Sequence, residues 1–320
     1  MASTVRDAHK SGLHAAFPEI TAAESFDPPA LPVDRTLVHR ARLDDVIPTQ
    51  LTRHDDAHFT VSTRWPSAHR LFVADGQYTA SLVLESIRQT TLLVSHAELG
   101  VPLRHHFVMW DLCHRLDAAL LTRATVPEGV TLDVHVTELR RRGAIPSNVG
   151  MDMTIRTGDR AIGSGSIRFN LTSPAAYARI RGNKLTSDAP GLTAALPEPV
   201  EPPTVHRSRA DVVLAADRPG RWQLRADPAN ELFFDRVNDH IPAMVLVEAA
   251  QQAANLLVPS GRFTPSSSEM NFSRYVEWGV PCWIEAHVFT AEDGTTSVSV
   301  TGHQDDQLAF VIRFARPAGH

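Results

Sequence analysis

Two helices predicted from the sequence each carry a single glutamate within an otherwise apolar face. They are SLVLESIRQTTLLVSHAELG at residues 81–100, which contains Glu85, and AMVLVEAAQQAANLL at residues 243–257, which contains Glu248. A carboxylate is rarely buried unless it is paired or takes part in chemistry. Two such carboxylates at equivalent places in similar segments therefore indicate a functional site.

The second helix is preceded by a loop that adds an acid and an imidazole. Asp239 and His240 stand just before this helix, and Glu248 follows His240 by eight residues, slightly more than two helical turns. If the loop folds back, the imidazole and the carboxylate face one pocket beside the helix N-terminus, whose free N–H groups can hold an oxyanion. These groups together favour acyl-thioester chemistry. The structural alternative is that His240 caps the helix and Glu248 is a satisfied core carboxylate.

The first helix has a different partner for its glutamate. The residue eight positions before Glu85 is Gln77 rather than a histidine, while Arg88 lies one turn after Glu85 on the same helix face. Arg88 either neutralises Glu85 or binds the phosphate or carboxylate of a substrate. At the corresponding place the second helix has the uncharged Gln251. The two segments have diverged, and we expect complementary half-sites.

An internal repeat explains why the two helices look alike. VHRARLDDVI at residues 38–47 recurs as VHRSRADVVL at residues 205–214, and each copy continues through a tryptophan-containing stretch and an LF pair to its helix. The Pro-, Ser- and Thr-containing stretch between the copies is typical of an extended linker. We therefore predict an N-terminal arm, two repeats and a linker, with bounds of 1–34 for the arm, 35–183 and 205–320 for the repeats, and 184–204 for the linker.

Each repeat is predicted to contain the same elements in the same order. A short strand that includes the VHR sequence comes first, followed by a hairpin-like arm, one long helix and several strands with period-two alternation. The later strands are predicted at HFVMWDL, VTLDVHVTEL, NVGMDMTIRT and RAIGSGSIRFNLT in repeat one, and at SEMNFSRYV, CWIEAHVFTA, TSVSVTG and LAFVIRFA in repeat two. This is an α+β pattern in which an antiparallel sheet wraps around a long central helix. We predict a tandem double hot-dog fold, a pseudo-dimer within one chain.

Composition argues against several classes of function. The 320 residues are 43% hydrophobic and 21% charged with a formal net charge of −5, so no global charge favours nucleic acid or an anionic membrane. No apolar run reaches membrane-spanning length and the N-terminus has no continuous apolar core, so we expect a cytoplasmic protein that binds neither nucleic acid nor a membrane. The two cysteines, Cys113 and Cys282, form no ligand or disulfide pattern, and we expect no metal and no cofactor.

Other polar clusters are weaker candidates. Arginines of the repeated VHR-x-R strands can line a polyanion path, although charged strand residues more often form a solvated face; they are Arg40, Arg42, Arg207 and Arg209. His105 and His106 have no further metal ligands nearby in the sequence. Arg140, Arg141 and Arg142 favour a solvated turn over a carrier-protein docking site.

Longer motifs resemble a known family. The segments LESIRQTTLLVSHAELGVPLRHHFVMWDL in repeat one and NDHIPAMVLVEAAQQAA and FSRYVEWGVP in repeat two are similar to those of the A-factor biosynthesis hot-dog family. Members of this family are bacterial synthases of γ-butyrolactone and related autoregulators. The resemblance extends from about residue 36 to residue 315 and includes both repeats in order. Its most specific motifs are ExxRQ followed by H-x-ELGVP, and DHxPxMxxxE.

The resemblance implies an acyltransferase of secondary metabolism and quorum sensing. Such an enzyme transfers a β-ketoacyl group from an acyl-carrier-protein thioester to a hydroxyl of dihydroxyacetone phosphate, and the ester closes by an aldol-type condensation to a phosphorylated butenolide. Related members direct the same ester toward furan-type signals. The family's functional glutamates fall on Glu85 and Glu248, and its arginine falls on Arg88. The ExxRQ motif adds Gln89 to the substrate-binding candidates.

Two positions of repeat two depart from the family's pattern. Many relatives have an arginine where this chain has Gln251, and a glycine where it has Ala243. Both residues are candidates for contact with substrate.

One mechanism is our hypothesis from the sequence. Glu248, acting with His240 and its neighbour Asp239, is the general base that deprotonates the attacking hydroxyl, and Arg88 holds the phosphate. Two alternatives stay open: a hot-dog thioesterase in which water replaces the alcohol, and a non-catalytic regulator that binds an acyl ligand. Release of free β-keto acid without dihydroxyacetone phosphate favours the first, and tight binding without turnover favours the second.

Overall fold

The computed structural model describes residues 31–117, 129–185, 196–201, 208–234, 238–258 and 262–318. Residues 1–30 of the predicted arm, Arg207 and most of the predicted linker lie outside the described residues. The predicted bounds of the repeats stay a prediction.

The described residues form three α-helices and fifteen strands. The helices are α1 (Ala80–Ala97), α2 (Pro174–Arg181) and α3 (Ala243–Leu257). Strand β1 (Leu31–Pro32) lies in the predicted arm. The strands of repeat one are β2 (Pro48–Arg53), β3 (His58–Thr63), β4 (Val73–Ala74), β5 (Gln77–Tyr78), β6 (His106–Leu116), β7 (Val130–Arg142), β8 (Ile145–Thr157) and β9 (Arg160–Thr172). Those of repeat two are β10 (Leu214–Arg218), β11 (Arg221–Leu224), β12 (Ser267–Phe272), β13 (Cys282–Thr290), β14 (Thr296–Gln304) and β15 (Gln307–Arg316). All strands predicted after the two long helices are present.

Thirteen of these strands form one antiparallel sheet, in the order β1-β2-β3-β7-β8-β9-β6-β12-β15-β14-β13-β11-β10. The two repeats join where β6 pairs with β12, in a register that places Leu112 opposite Met270. The sheet is therefore continuous from one repeat to the other. The predicted α+β double hot-dog fold is confirmed.

The strands of each repeat pack against its own long helix. Helix α1 contacts β2, β3, β6 and β9, while α3 contacts β10, β13 and β14. Every residue of α1 except Arg88 and Ala97 is buried. Gly165 of β9 permits the close approach of α1, because a Cβ atom at this position would lie 2.5 Å from Cδ1 of Ile87. None of the helices in the described part of the chain has both the length and the apolar character needed to cross a membrane.

The VHR segment of repeat one is not a strand, so this prediction was wrong. Arg35–Val38 form a 3₁₀ turn, and the following strand begins only at Pro48. Between them, the Gln89 side chain accepts a hydrogen bond from the Ile47 N–H (2.9 Å) and donates one to the Asp45 carbonyl (2.8 Å). A side chain of α1 thus occupies the backbone groups that a neighbouring strand would need.

Repeat two contains the same contact. Gln252 accepts from the Val213 N–H (2.9 Å) and donates to the Asp211 carbonyl (3.0 Å). The repetition seen in the sequence therefore extends to the hydrogen bonds that fix each long helix to the segment before it.

Replacing Gln89 by alanine tests this contact. The Gln89→Ala variant leaves a buried N–H and a carbonyl without their partner, so we expect the free energy of unfolding to fall by about 1–3 kcal/mol. Urea denaturation at pH 7 measures the change. Gln50→Ala, at an exposed position of β2, is the control and should change stability by less than about 0.5 kcal/mol. Equal losses in the two variants would mean that Gln89 does not hold the segment.

Candidate active site

In the N-terminal half of α1, Glu85 is paired with two arginines. Its carboxylate is only 1% exposed and accepts hydrogen bonds from Arg88 (Nε to Oε2, 2.8 Å; Nη2 to Oε1, 2.7 Å). Arg40 donates from Nε at 3.1 Å and also forms an ion pair through Nη2. Gln89 donates from Nε2 at 2.7 Å. The buried carboxylate is therefore satisfied, and it fixes both guanidinium groups.

The two arginines decide the charge state of Glu85. Burial by itself raises the pKa of a carboxyl group, but the charges of Arg40 and Arg88 outweigh burial and lower the pKa of Glu85 to about 2. The carboxylate is ionised at neutral pH, and with its two guanidinium partners it leaves one net positive charge. That charge favours an anionic ligand.

His39 lies next to Arg40 and is held by a second imidazole. His39 has a φ of 55° and ends the 3₁₀ turn, which redirects the chain toward α1. His96 Nδ1 lies 2.7 Å from the Val101 carbonyl oxygen, which can only accept, so His96 Nδ1 carries the hydrogen. His96 Nε2 then accepts from His39 Nε2 at 2.9 Å. Burial lowers the pKa of His96, which favours this neutral form.

The loop before α3 supplies an aspartate–histidine pair. The Ile241 N–H donates to the Val276 carbonyl (2.9 Å), which fixes the end of the loop against the segment after β12. His240 Nδ1 lies 2.9 Å from Asp239 Oδ1. An ionised carboxylate can only accept, so Nδ1 carries the hydrogen and Nε2 of the neutral ring is left as a proton acceptor.

Helix α2 of repeat one reaches this loop of repeat two. The Tyr177 hydroxyl donates to Asp239 Oδ1 (2.9 Å), and Arg181 Nε donates to Asp239 Oδ2 (2.6 Å). Although burial raises the pKa of Asp239, hydrogen bonds from His240 and Arg181 outweigh burial and hold that pKa well below its ordinary value. Asp239 is therefore ionised at neutral pH.

A cavity of about 660 Å³ brings groups from the two repeats together. Its polar lining includes Glu85 and Arg88 from α1, and Asp239 and His240 from repeat two. Its apolar lining includes leucine, isoleucine, methionine and phenylalanine side chains from both repeats, among them Leu71, Phe72, Leu92, Phe107, Met109, Ile167, Phe169, Met244 and Leu246. Fixed charges beside an apolar surface suit an amphipathic ligand.

The start of α3 also belongs to this cavity. Pro242 is the N-cap residue, and Ala243 and Met244, the first two residues of the helix, line the cavity. N–H groups in the first turn of a helix have no acceptor within the helix. They are suited to an oxygen that becomes negatively charged.

The sequence itself matches a known family. The profile of the A-factor biosynthesis hotdog domain covers residues 21–173 and 190–313. The chain belongs to this family. A relative from Streptomyces virginiae, named 2-oxo-3-(phosphooxy)propyl 3-oxoalkanoate synthase, is 41% identical over 282 residues, covering 87% of this chain and 95% of the relative. A Streptomyces griseus relative of the same name is 35% identical over 296 residues, covering 90% and 97%. The resemblance seen in the motifs is confirmed.

A solved structure shares the fold. An oleoyl thioesterase from Lactobacillus plantarum aligns with a TM-score of 0.50 and 13% identity, covering 82% of this chain and 98% of that chain. At this identity the similarity concerns the hot-dog fold alone.

Three residues taken from the family's motifs do not line the cavity. Gln89 is the buried glutamine that binds the segment before α1. Glu248 is 1% exposed and accepts a hydrogen bond from Gln252, one turn further along α3 (2.8 Å). Gln251 donates to the Phe263 carbonyl (2.6 Å). The eight-residue spacing therefore brings His240, but not Glu248, to the cavity, because Glu248 lies on a buried face of α3.

Different residues occupy the positions that correspond to His240 and Arg88 in the other repeat. Gln77 stands where repeat two has His240, and Arg262 donates to Gln77 (2.5 Å) and to Asp75 (3.1 Å). Gln251, the counterpart of Arg88, is engaged with the backbone. The positions equivalent to His240 and Arg88 therefore carry neither an imidazole nor a guanidinium group.

Several residues of the site were missed in the sequence or were given a different interpretation. The repeated VHR motif was a signal for His39 and Arg40, but its interpretation as a solvated strand concealed their role. Nothing in the sequence linked Tyr177 or Arg181 to the loop, because α2 is not part of the recognised repeat pattern. His106, considered only as half of a metal pair, stacks on Tyr177 with ring centroids 3.6 Å apart.

Neutralising Glu85 tests the ion cluster. The Glu85→Gln variant leaves two partly buried guanidinium groups without their counter-charge, so we expect the free energy of unfolding at pH 7 to fall by about 3–5 kcal/mol. Because the pKa of Glu85 is lowered from 4.5 to about 2 in the folded protein, this contribution is complete above pH 4.5 and is lost as the pH falls toward 2. The difference between wild type and variant should therefore shrink between pH 5 and pH 3 in urea denaturation.

The control is Glu231→Gln, at a side chain that is 85% exposed. It should leave stability within about 0.5 kcal/mol of wild type. A stability difference for Glu85→Gln that stays constant from pH 5 to pH 3 would contradict the assigned charge state.

Proposed function

We propose that this chain is an acyltransferase that joins a 3-oxoacyl group, carried as a thioester on an acyl carrier protein, to a hydroxyl of dihydroxyacetone phosphate. The product is the 2-oxo-3-(phosphooxy)propyl 3-oxoalkanoate named in its relatives. The observation that carries the proposal is that the Glu85–Arg88 pair and the Asp239–His240 pair line one cavity. The family to which the chain belongs supports the same activity.

The cluster around Glu85 binds the phosphate in this proposal. Arg88 lines the cavity, its side chain is 22% exposed, and its orientation is fixed by the carboxylate. A guanidinium held in place loses little conformational freedom when it binds phosphate oxygens. Glu85 positions Arg40 and Arg88 and does not react, since its oxygens already accept several hydrogen bonds.

The apolar lining binds the acyl chain. Phe107, Met109 and Phe169 offer a surface without formal charge beside the polar groups. Each CH₂ group buried there contributes about 0.8 kcal/mol to binding. The 3-oxoacyl thioester therefore lies with its chain along this surface and its carbonyl toward α3.

His240 is the general base. Its Nε2 accepts the proton of the substrate hydroxyl as the hydroxyl oxygen attacks the thioester carbonyl, and Asp239 stabilises the imidazolium that forms. The tetrahedral intermediate then collapses, the C–S bond breaks, and the leaving thiolate takes the proton back from His240. This assignment replaces our hypothesis that Glu248 is the base, because Glu248 does not line the cavity.

The first turn of α3 holds the oxyanion. The N–H groups of Ala243 and Met244 lie beside the cavity, where the thioester oxygen gains negative charge. Alanine in place of the glycine found in many relatives keeps these backbone donors, because only the side chain changes.

The same groups can activate water, which is the thioesterase alternative. Water needs no positive charge to hold it, whereas the Glu85 cluster presents one net positive charge to an anionic acceptor. Incubation of a 3-oxoacyl carrier protein with and without dihydroxyacetone phosphate, followed by mass spectrometry, separates the two reactions. Formation of the ester supports the proposal, and release of free 3-oxo acid at the same rate without the acceptor supports hydrolysis.

The base is tested by two matched substitutions. His240→Gln removes the proton acceptor, so kcat for ester formation should fall by about 10²–10⁴-fold with little change in either KM. Glu248→Gln should keep most of the activity of wild type, once circular dichroism shows that it is folded. The opposite pattern, loss of activity only in Glu248→Gln, would return the role of base to that carboxylate.

The phosphate site is tested by replacing Arg88 with glutamine, the residue that repeat two has at the equivalent position, Gln251. Arg88→Gln removes a charged donor, so the KM for dihydroxyacetone phosphate should rise by about 10- to 100-fold while the KM for the thioester changes little. Arg53→Gln, an arginine outside the cavity lining, is the control. Steady-state kinetics with each substrate varied in turn measures the effect, and an unchanged KM in Arg88→Gln would contradict phosphate binding at this residue.

A further inference from the structure

Helix α2 places two buried polar side chains between the repeats. It directly follows β9, the last strand of repeat one. The side chain of Arg181 is only 2% exposed, and Tyr177 is 3% exposed. Arginine is almost never fully buried unless it is paired, so the partners of Arg181 indicate its role.

We propose that Tyr177 and Arg181 are positioning residues that hold the Asp239 carboxylate in the orientation that prepares His240 as a proton acceptor. Helix α2 of repeat one thus completes the reactive loop of repeat two. The inference rests on the proposed function, because it specifies how the base of that reaction is prepared.

The contacts of Asp239 leave its carboxylate no freedom to rotate. Oδ1 accepts from His240 Nδ1 (2.9 Å) and Oδ2 accepts from Arg181 Nε (2.6 Å). The Tyr177 hydroxyl oxygen lies 2.9 Å from Oδ1 and 3.0 Å from Oδ2, so its single hydrogen is shared between the two oxygens. Arg181 Nη2 also donates to the backbone carbonyl of Asp239 (3.1 Å). Three donors thus hold the carboxylate, and the orientation of the imidazole follows from that of the carboxylate.

Arg181 is itself anchored to repeat two. Its Nη1 and Nη2 atoms donate to the two oxygens of Glu277 at 2.8 and 2.7 Å. The Glu277 N–H donates to Gln304 Oε1 (2.8 Å), and Gln304 Nε2 donates back to the Glu277 carbonyl (3.0 Å). Gln304 ends β14, so the guanidinium is tied to the sheet and not to a loop alone.

Tyr177 is anchored to repeat one. Its ring stacks on His106 of β6 with a centroid distance of 3.6 Å and an interplanar angle of 4°. Tyr275 of repeat two contacts the same groups: its ring centroid lies 4.6 Å from that of His240 and 4.4 Å from the guanidinium carbon of Arg181. The Asp239–His240 pair is therefore held between side chains fixed by both repeats.

The network also sets the charge that His240 experiences. Arg181 compensates the negative charge of Asp239, so its removal leaves this carboxylate beside the imidazole without its guanidinium partner and favours the imidazolium form. Removal of the Tyr177 hydroxyl has a smaller effect in the same direction. The other charged or titratable groups on the elements packed around the loop remain unchanged in these substitutions: His106 on β6, Lys184 after α2, Arg274 and Tyr275 after β12, and Glu85 and Arg88 on α1.

The test combines kinetics with NMR. Tyr177→Phe keeps the stacked ring and removes only the hydroxyl, so kcat should fall by about 10-fold while the KM for dihydroxyacetone phosphate stays within about twofold. Arg181→Gln should lower kcat by about 100-fold or more, and Arg181→Lys should recover part of that loss. In both the Tyr177→Phe and Arg181→Gln variants the acidic limb of the pH–rate profile should move to higher pH. Arg179→Gln, the same substitution at an exposed position of α2, should match wild type.

A second measurement does not depend on turnover. The Nδ1–H proton of His240, which donates to Asp239, is followed by NMR and assigned by comparison with His240→Gln. Its signal should move in Tyr177→Phe and in Arg181→Gln but not in Arg179→Gln. Wild-type kcat together with an unchanged Nδ1–H signal in folded Tyr177→Phe overturns the inference and leaves the proposed function standing. If wild type forms no ester but the signal moves as expected, the positioning role is supported and the proposed reaction is not. If Arg181→Gln does not fold, Tyr177→Phe decides by both measurements.

Discussion

The burial of one carboxylate between two guanidinium groups is the interaction on which the rest of this structure depends. Helix α1 is buried on almost every side, and an unpaired charge within it would cost several kcal/mol. Arg40 and Arg88 remove that cost by pairing with Glu85. Because they outnumber the carboxylate, the same contacts that allow the helix to be buried also leave a positive charge in the cavity wall.

A second carboxylate–guanidinium contact fixes the orientation of the Asp239–His240 pair at the start of α3. Arg181 and Tyr177 hold Asp239 ionised and fixed, and Asp239 in turn determines which nitrogen of His240 carries the hydrogen. The first cluster provides charge, and the second provides a defined tautomer. Both lie at the same cavity because the two repeats share one continuous sheet, joined through β6 and β12.

Duplication has preserved the scaffold of this family member more strictly than its chemistry. Gln89 and Gln252 make equivalent backbone contacts in the two repeats. The positions equivalent to His240 and Arg88 are instead glutamines, Gln77 and Gln251, which bind neighbouring groups of the protein. Contacts that hold a long helix against its preceding segment are needed in both repeats for folding, whereas one set of reacting groups is enough for one reaction.

The sequence by itself determined the duplication, the two long helices, the later strands and the family, because these depend on local periodicity and on motifs that are contiguous in the chain. It also indicated that Glu85 and Glu248 would be buried, since each interrupts an apolar helix face. It did not reveal that VHR ends a turn, because that depends on a side chain of α1 binding the adjoining backbone. Only the tertiary structure decided that His240 shares its cavity with Glu85, that Glu248 does not line it, and that Tyr177 reaches Asp239. These contacts join residues far apart in the chain, and the docking of one repeat against the other sets their distances.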